Sequence, residues 1–395
     1  MTYLSVLQVA SYLFPLITIP YLAKIIGTEG YGKIAFATAI MTWIITITDW
    51  GFNYTATRDV AKNKEDIEKI SIVFSNVLWA RLLLMFLSLI VLFILVLLIP
   101  YFKENYAVIF VAFLMIPGHI LFPEWFFQAL EKMKFISILN IVSKLVFTLA
   151  IFIFIKDKED YILQPLFYSL GFVISGVISF YIILYKWNIK LIKPNLKIIY
   201  RTIHNSTDVF INNLMPNLYN SLSIIFLGFY NGNTANGIFD AANRIIVIAQ
   251  NFFTIISRSF FPFLVRRSEF FFLYEKINVI SSLITSIFIF IFSSFIIDLF
   301  YTSEFEDAKC VLKIMSFSIL FVTLSSTYGI NYMIINGYDK ELRNITSISS
   351  IIGFIIGFHL IKYYGVIGTA LTIVVTRFIL GISITFSAKI KQKIK

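Results

Sequence analysis

The sequence predicts an all-α polytopic membrane protein with about twelve transmembrane helices in two six-helix lobes, and three observations carry that prediction. Hydrophobic residues make up 58% of the chain and charged residues 14%, against about 25% charged in soluble chains, so little polar surface is left to face water. Residues 82–99 hold Ser88 as their one polar side chain, and 277–297 hold no charge; as helices, each can cross about 30 Å of hydrocarbon. A polar run, 186–208, carries Lys186, Lys190, Lys193, Lys197 and Arg201 at the middle of the 395 residues, with about six apolar spans on either side. Cytoplasmic loops collect Lys and Arg, so this run is expected to connect a lobe at 1–185 to a lobe at 209–395. Its plainer role is a tether; its cations would also attract anionic headgroups by about 1 kcal/mol per basic residue.

In chain order, the first span is expected at 3–23. It contains Pro15 and Pro20, which lipid tolerates only where neighbours or cavity water satisfy the freed carbonyls, so it should be kinked and inward-facing. It has no basic leader and no small-residue cleavage site, so 1–23 is expected to be retained as a helix. A turn with Gly27, Gly30 and Gly32 leads to a span at 34–52. The others fall at 72–99, 107–128, 136–155, 162–185, 209–229, 238–257, 277–300, 311–335, 345–361 and 366–388. Threaded this way, one side of the membrane collects 21 of the 33 Lys and Arg and the other collects 8. The richer side holds both termini, which are therefore expected in the cytoplasm. Shifting the chain by 205 residues superposes Gly27, Gly30, Gly32 and Ala37 on Gly232, Ala235, Gly237 and Ala242. Six helices per half would make these parallel repeats.

Composition excludes several classes of function. The net charge of +11 sits at span ends, so it is a topology signal and no nucleic-acid partner is expected. A single cysteine, Cys310, rules out an internal disulfide and any CxxC site. His119 and His359 lack a second ligand at metal spacing and should be packed or hydrogen-bonded. No GxxxxGK[ST] loop is present, and the loops are too short for a catalytic constellation, so neither an enzyme nor a cofactor is expected.

Chemistry is expected on polar helix faces. Thr38, Thr42, Thr46, Asp49 and Asn53 share one face of the second span, and Asp240, Arg244, Asn251 and Arg258 share one face of the eighth. Asn213, Asn217 and Asn220, and Ser137, Asn140, Lys144 and Thr148, form two more. Each alone suits helix–helix hydrogen bonding; together they suggest a watered cavity. Arg81, Lys144, Arg244 and Arg377 lie inside spans, where insertion costs about 2.5–3.5 kcal/mol each. Asp240 stands one turn before Arg244 as a ready ion partner. The other three have no acid one turn away, which leaves an inter-helix partner, snorkelling or an anionic substrate. Gly353 and Gly357 form a GxxxG expected to mark a close helix contact.

Three stretches carry a family resemblance: SYLFPLITIPYLAKIIGTEGYGKIAFA at 11–37, DWGFNYTATRDVA at 49–61 and PEWFFQALEKM at 123–133. The chain resembles the O-antigen repeat-unit flippases (Wzx type), in the polysaccharide-transport branch of the multidrug, oligosaccharidyl-lipid and polysaccharide exporter (MOP) superfamily. The resemblance is specific over the first 135 residues; beyond them it rests on span number, the connector and FFPFLVRR at 260–267. Ala129 stands where the family's WxFQGxE pattern has Gly. The resemblance implies a MATE-like fold of two lobes opening alternately to each side. It implies transfer of an undecaprenyl-pyrophosphate-linked glycan from the inner to the outer leaflet during lipopolysaccharide O-antigen biosynthesis, with membrane lipids, an O-antigen polymerase and a chain-length regulator as partners.

On that footing Arg81, Lys144, Arg244 and Arg377 are the expected substrate-binding cations. Asp49, Glu124 and Asp240 are candidates for ion coupling. Gating is expected at Thr57, Arg58, Gln128 and Glu131, because their loops carry the sharpest motifs although loops usually tolerate change. A drug exporter of the same fold would favour acidic and aromatic midspan residues. A polymerase or glycosyltransferase would want a larger external loop than the roughly ten residues present here.

Overall fold

The computed structural model describes residues 2–394, with side chains described at 14 and from 17 to 392. Among these the chain is helical, without strands. Nine helical segments among the described residues are long and apolar enough to cross a membrane. Two of them, Leu196–Arg266 and Asp339–Gln392, each hold two of the expected spans, and Ile17–Lys62 holds the second with the end of the first. Helix α1 (Thr2–Asp49) breaks at Gly27, and its helical geometry continues through Pro15 and Pro20. The break at Gly27 falls in the glycine turn expected between the first two spans.

The chain divides into two compact units: residues 1–26 with 36–214, and residues 27–35 with 215–395. The sequence drew the lobes at 1–185 and 209–395. By contacts, the connector belongs with the first unit and the short segment 27–35 with the second.

In the first unit, α2 (Phe52–Lys62) follows a sharp turn in which Trp50 and Gly51 both take positive φ. Helix α3 (Ile67–Leu98) is N-capped by Asp66, whose carboxylate accepts the Lys69 N–H at 3.1 Å. A short α4 (Pro100–Glu104) follows. The span expected at 107–128 is three pieces, α5 (Tyr106–Phe113), α6 (Met115–Leu121) and α7 (Glu124–Ala129). Pro117 and Pro123 supply no N–H and suit only the starts of helices, which accounts for the division. Helices α8 (Met133–Phe154) and α9 (Leu163–Tyr181) complete the expected spans, and α9 runs into a π-helical turn at Ile182–Lys186.

The connector is more than a tether. Its backbone lies along α3, where Lys190 N–H donates to Ser71 Oγ at 3.1 Å, Ile192 N–H to Ser75 Oγ at 3.0 Å, and Trp79 Nε1–H to the Ile192 carbonyl at 2.8 Å. Its second half is already helical, as α10 (Leu196–Leu214). That helix presses on the α1–α2 turn: Phe210 stacks on Trp50 with ring centroids 3.8 Å apart, and Trp50 Nε1–H donates to Thr207 Oγ1 at 3.3 Å.

The second unit holds α11 (Ser221–Arg266), α12 (Phe271–Phe300), α13 (Ala308–Leu324) and α14 (Asp339–Ile394). A π-helical stretch, Ser325–Ile334, extends α13. Helix α11 breaks at Gly232 and α14 at Gly365, both at a positive φ that would cost an L-residue about 1–3 kcal/mol. The 205-residue repeat is present in the backbone. Gly27 (φ 64°, ψ −173°) and Gly232 (φ 80°, ψ −176°) share one conformation. A Cβ at Gly32 would land on the Asn233 carbonyl oxygen, and a Cβ at Gly237 would land on that of Thr28. Asn233 is itself Thr28 advanced by 205, so the crossing is reciprocal. Gly353 and Gly357 likewise leave room for Thr376 and Thr372 across the Gly365 break, which is the close contact expected of the GxxxG.

Candidate functional site

In the first unit the polar side chains converge on Asp49, at the end of α1. Arg81 Nη2 from α3 donates to Asp49 Oδ1 at 2.5 Å, and His119 Nε2 from α6 lies 3.4 Å from Asp49 Oδ2. Arg81 also donates to the carbonyls of Ile120 and His119, at 3.5 and 3.4 Å, which fixes the broken α6 against α3. The Arg81 side chain is 3% exposed, and its Nε has no partner among the described residues. Beside this group, Asn140 Nδ2 donates to Glu124 Oε1 at 2.7 Å, and Lys144 on α8 interacts electrostatically with Glu124. Of the three cations with no acid one turn away in their own helix, Arg81 has an inter-helix partner in Asp49, and Lys144 lies within the electrostatic reach of Glu124. A buried charge costs several kcal/mol unless it is paired, and these acids offset that cost. The hydroxyls of Thr42 and Thr46 on the same face are spent on the i−4 carbonyls of their own helix.

In the second unit Arg244 Nε donates to Asp240 Oδ2 at 2.6 Å, the one-turn pair that the spacing suggests. Its guanidinium lies over the Tyr31 ring, 5.1 Å from the centroid. Tyr31 in turn meets the edges of Tyr301 and Phe305. Arg377, on the second half of α14, is different. It is buried, donating from Nη1 to Ser318 Oγ at 3.3 Å and from Nη2 to Asn220 Oδ1 at 3.2 Å. Gln250 Nε2 donates to the same Ser318 hydroxyl at 2.9 Å. Among the described residues no carboxylate forms an ion pair with Arg377, so it is a buried positive charge among neutral oxygens.

Two of the three family stretches touch. Thr57 Oγ1 on α2 donates to the Trp125 carbonyl of α7 at 3.3 Å, and Lys64 Nζ lies 3.1 Å from Glu131 Oε1. Glu131 holds a positive φ of 58° at the end of α7, a helix-terminating position that favours Gly or Asn. Arg58 points to solvent and pairs with its neighbour Asp59 at 3.1 Å. Sequence reasoning missed Tyr31, Tyr301, Ser318 and Gln250 as parts of these clusters. Single Ser, Gln and Tyr residues carry no pattern until folding places them beside a cation.

The architecture is shared with solved transporters. "Lipid II flippase MurJ, inward closed conformation" aligns over 98% of this chain and 88% of its own with a TM-score of 0.77 at 16% identity. A "multidrug resistance MATE family transporter of the MOP superfamily" in its inward-facing conformation aligns over 98% and 97% with a TM-score of 0.67 at 14% identity. The fold is therefore that of an all-α polytopic membrane protein, shared with these transporters. Residues 1–268 match the polysaccharide biosynthesis protein family, to which this chain belongs. An Escherichia coli K12 protein named "Putative O-antigen transporter" is 30% identical over 95% of this chain and 92% of its own length.

Proposed function

We propose that this chain is a flippase that moves an undecaprenyl-pyrophosphate-linked oligosaccharide, the O-antigen repeat unit or a related surface glycan, from the cytoplasmic to the periplasmic leaflet by alternating access. Membership of the polysaccharide biosynthesis family and the name of the E. coli relative support the substrate class. The observation that carries the reading is Arg377, a buried cation with only neutral partners. Neutral replacement would insert more easily by a few kcal/mol, and a guanidinium matches phosphate oxygens in a bidentate fork.

The other cations serve as exchange sites. An arriving pyrophosphate competes with Asp49 for Arg81, with Glu124 for Lys144 and with Asp240 for Arg244. Each carboxylate released in this way is a natural acceptor for a coupling proton or cation. The result is a series of weak anion sites in place of one tight one. A cation-coupled drug exporter of the same fold fits less well, because Asp49, Glu124 and Asp240 are each matched by a nearby base. The test is surface O-antigen display by Arg377→Ala, Arg377→Lys and Arg377→Glu, scored with membrane abundance. Ala and Glu should abolish display and Lys should retain part of it. Wild-type display from a normally made Arg377→Ala protein overturns the cationic path.

A further inference from the structure

The FFPFLVRR stretch contributes to none of the clusters above. It forms one wall of a groove of about 270 Å³ in the second unit. Phe260 and Phe263 of α11 face Leu273 and Ile277 of α12 across it, and Tyr274 and Asn278 make the floor. The floor residues are buried, whereas Leu273 and Ile277 are 53% and 60% exposed. The groove is therefore open along the side that carries Leu273 and Ile277. Its α12 wall runs from Leu273 to Ser281, about 12 Å at 1.5 Å per residue, most of one leaflet of a ~30 Å core.

The two walls meet at a basic turn. Arg266 ends α11 and Arg267 follows it. Arg266 spends one N–H on the Pro262 carbonyl at 3.2 Å, and Arg267 is loosely matched by Glu269 at 3.8 Å. Most of the donors of both guanidiniums are left for another group. Arg258 and Lys276 add positive charge to the same end, which lies on the side of the chain that collects most Lys and Arg.

We propose that this groove holds the isoprenoid tail of the lipid-linked substrate, with Arg266 and Arg267 facing its pyrophosphate before transfer. The inference rests on the flippase reading above. Charge complementarity selects this occupant over a bulk phospholipid. Two guanidinium forks match the several anionic oxygens of a pyrophosphate. A phosphodiester brings a single negative charge, which an ethanolamine headgroup cancels with its own ammonium. The apolar walls suit the tail and repel the glycan, so the groove would act as a loading site.

The test places a photoreactive benzoylphenylalanine at position 263 or 273 of the full-length protein, with a control at position 291, an exposed site on α12 beyond the groove. The protein is reconstituted in phosphatidylethanolamine–phosphatidylglycerol vesicles carrying undecaprenyl pyrophosphate, and the adducts are read by mass spectrometry. Positions 263 and 273 should form prenyl adducts several-fold more often than position 291. Arg266→Ala with Arg267→Ala, both at the surface, should reduce the adducts several-fold. Phospholipid adducts alone, equal prenyl labelling at 291, or crosslinks to a second copy of the chain overturn the proposal. Flipping of a lipid-linked oligosaccharide is scored in the same vesicles. Flipping without prenyl adducts rejects the groove and leaves the function standing, whereas prenyl adducts without flipping do the reverse.

Discussion

Buried cations in this chain fall into two kinds, and the difference sets what substitution should do to each. Arg81 and Asp49 hold one another at 2.5 Å, so truncating either strands the other. Loss of one partner of a buried pair costs about 3–5 kcal/mol; Asp49 is partly open, which puts this pair at the lower end. Arg81→Ala or Asp49→Ala should therefore reduce the amount of folded protein in the membrane, and Arg81→Met with Asp49→Leu should recover it. If the double variant also recovers O-antigen display, the pair is structural alone. Arg377 has no acid to strand. Removing it leaves Ser318 and Asn220 with smaller losses, and abundance should stay near normal while display is abolished. The Asp240–Arg244 pair was legible in the sequence because both residues ride one helix, one turn apart. Arg81's partner was not, because Asp49 lies 32 residues earlier on another helix, and only folding shows which of several candidate acids reaches it.

At the scale of elements, glycine decides where helices turn and where they touch, and the two roles should separate by mutation. Gly232 has positive φ with nothing within 4 Å of a would-be Cβ, so Gly232→Ala should cost only backbone strain, about 1–3 kcal/mol. Gly237→Ala and Gly32→Ala each drive a methyl group into a carbonyl oxygen and should be far more damaging. Thermal unfolding of the detergent-solubilised variants checks the order; a Gly232→Ala protein less stable than Gly237→Ala would contradict it. The contact of α2 with α7 bears on gating. Lys64–Glu131 and Arg58–Asp59 are surface pairs, worth about 0–1 kcal/mol. Arg58→Ala and Glu131→Ala should thus leave abundance unchanged, so a drop in display reports on function; normal display from both removes the gating idea. Span positions were legible because hydrophobic runs and basic ends mark them. The division of the fourth span into α5, α6 and α7, and the helical second half of the connector, were not. The first depends on two prolines inside an apolar run, and the second on contacts that a charge count does not register.

For the whole molecule, the basic asymmetry predicts that a reporter fused at Lys158 reads outside and one at Lys395 reads inside; an outside C-terminus would overturn the threading. The connector and the 205-residue offset led to an expected division at 1–185 and 209–395. Hidden in the sequence was that residues 27–35, deep in the first half, pack with 215–395 as one unit. That exchange has a consequence for dividing the chain. A C-terminal fragment beginning near Met215 would lack Tyr31, whose ring lies under Arg244 and against Tyr301 and Phe305, and would lack the Thr28 carbonyl that Gly237 is shaped to meet. Expressed alone, it should be degraded. Co-expressed with an N-terminal fragment ending near Leu214, it should be rescued, and a nine-residue deletion of 27–35 from that companion should abolish the rescue. The two halves are thus a split protein in waiting, each incomplete until the other has been made.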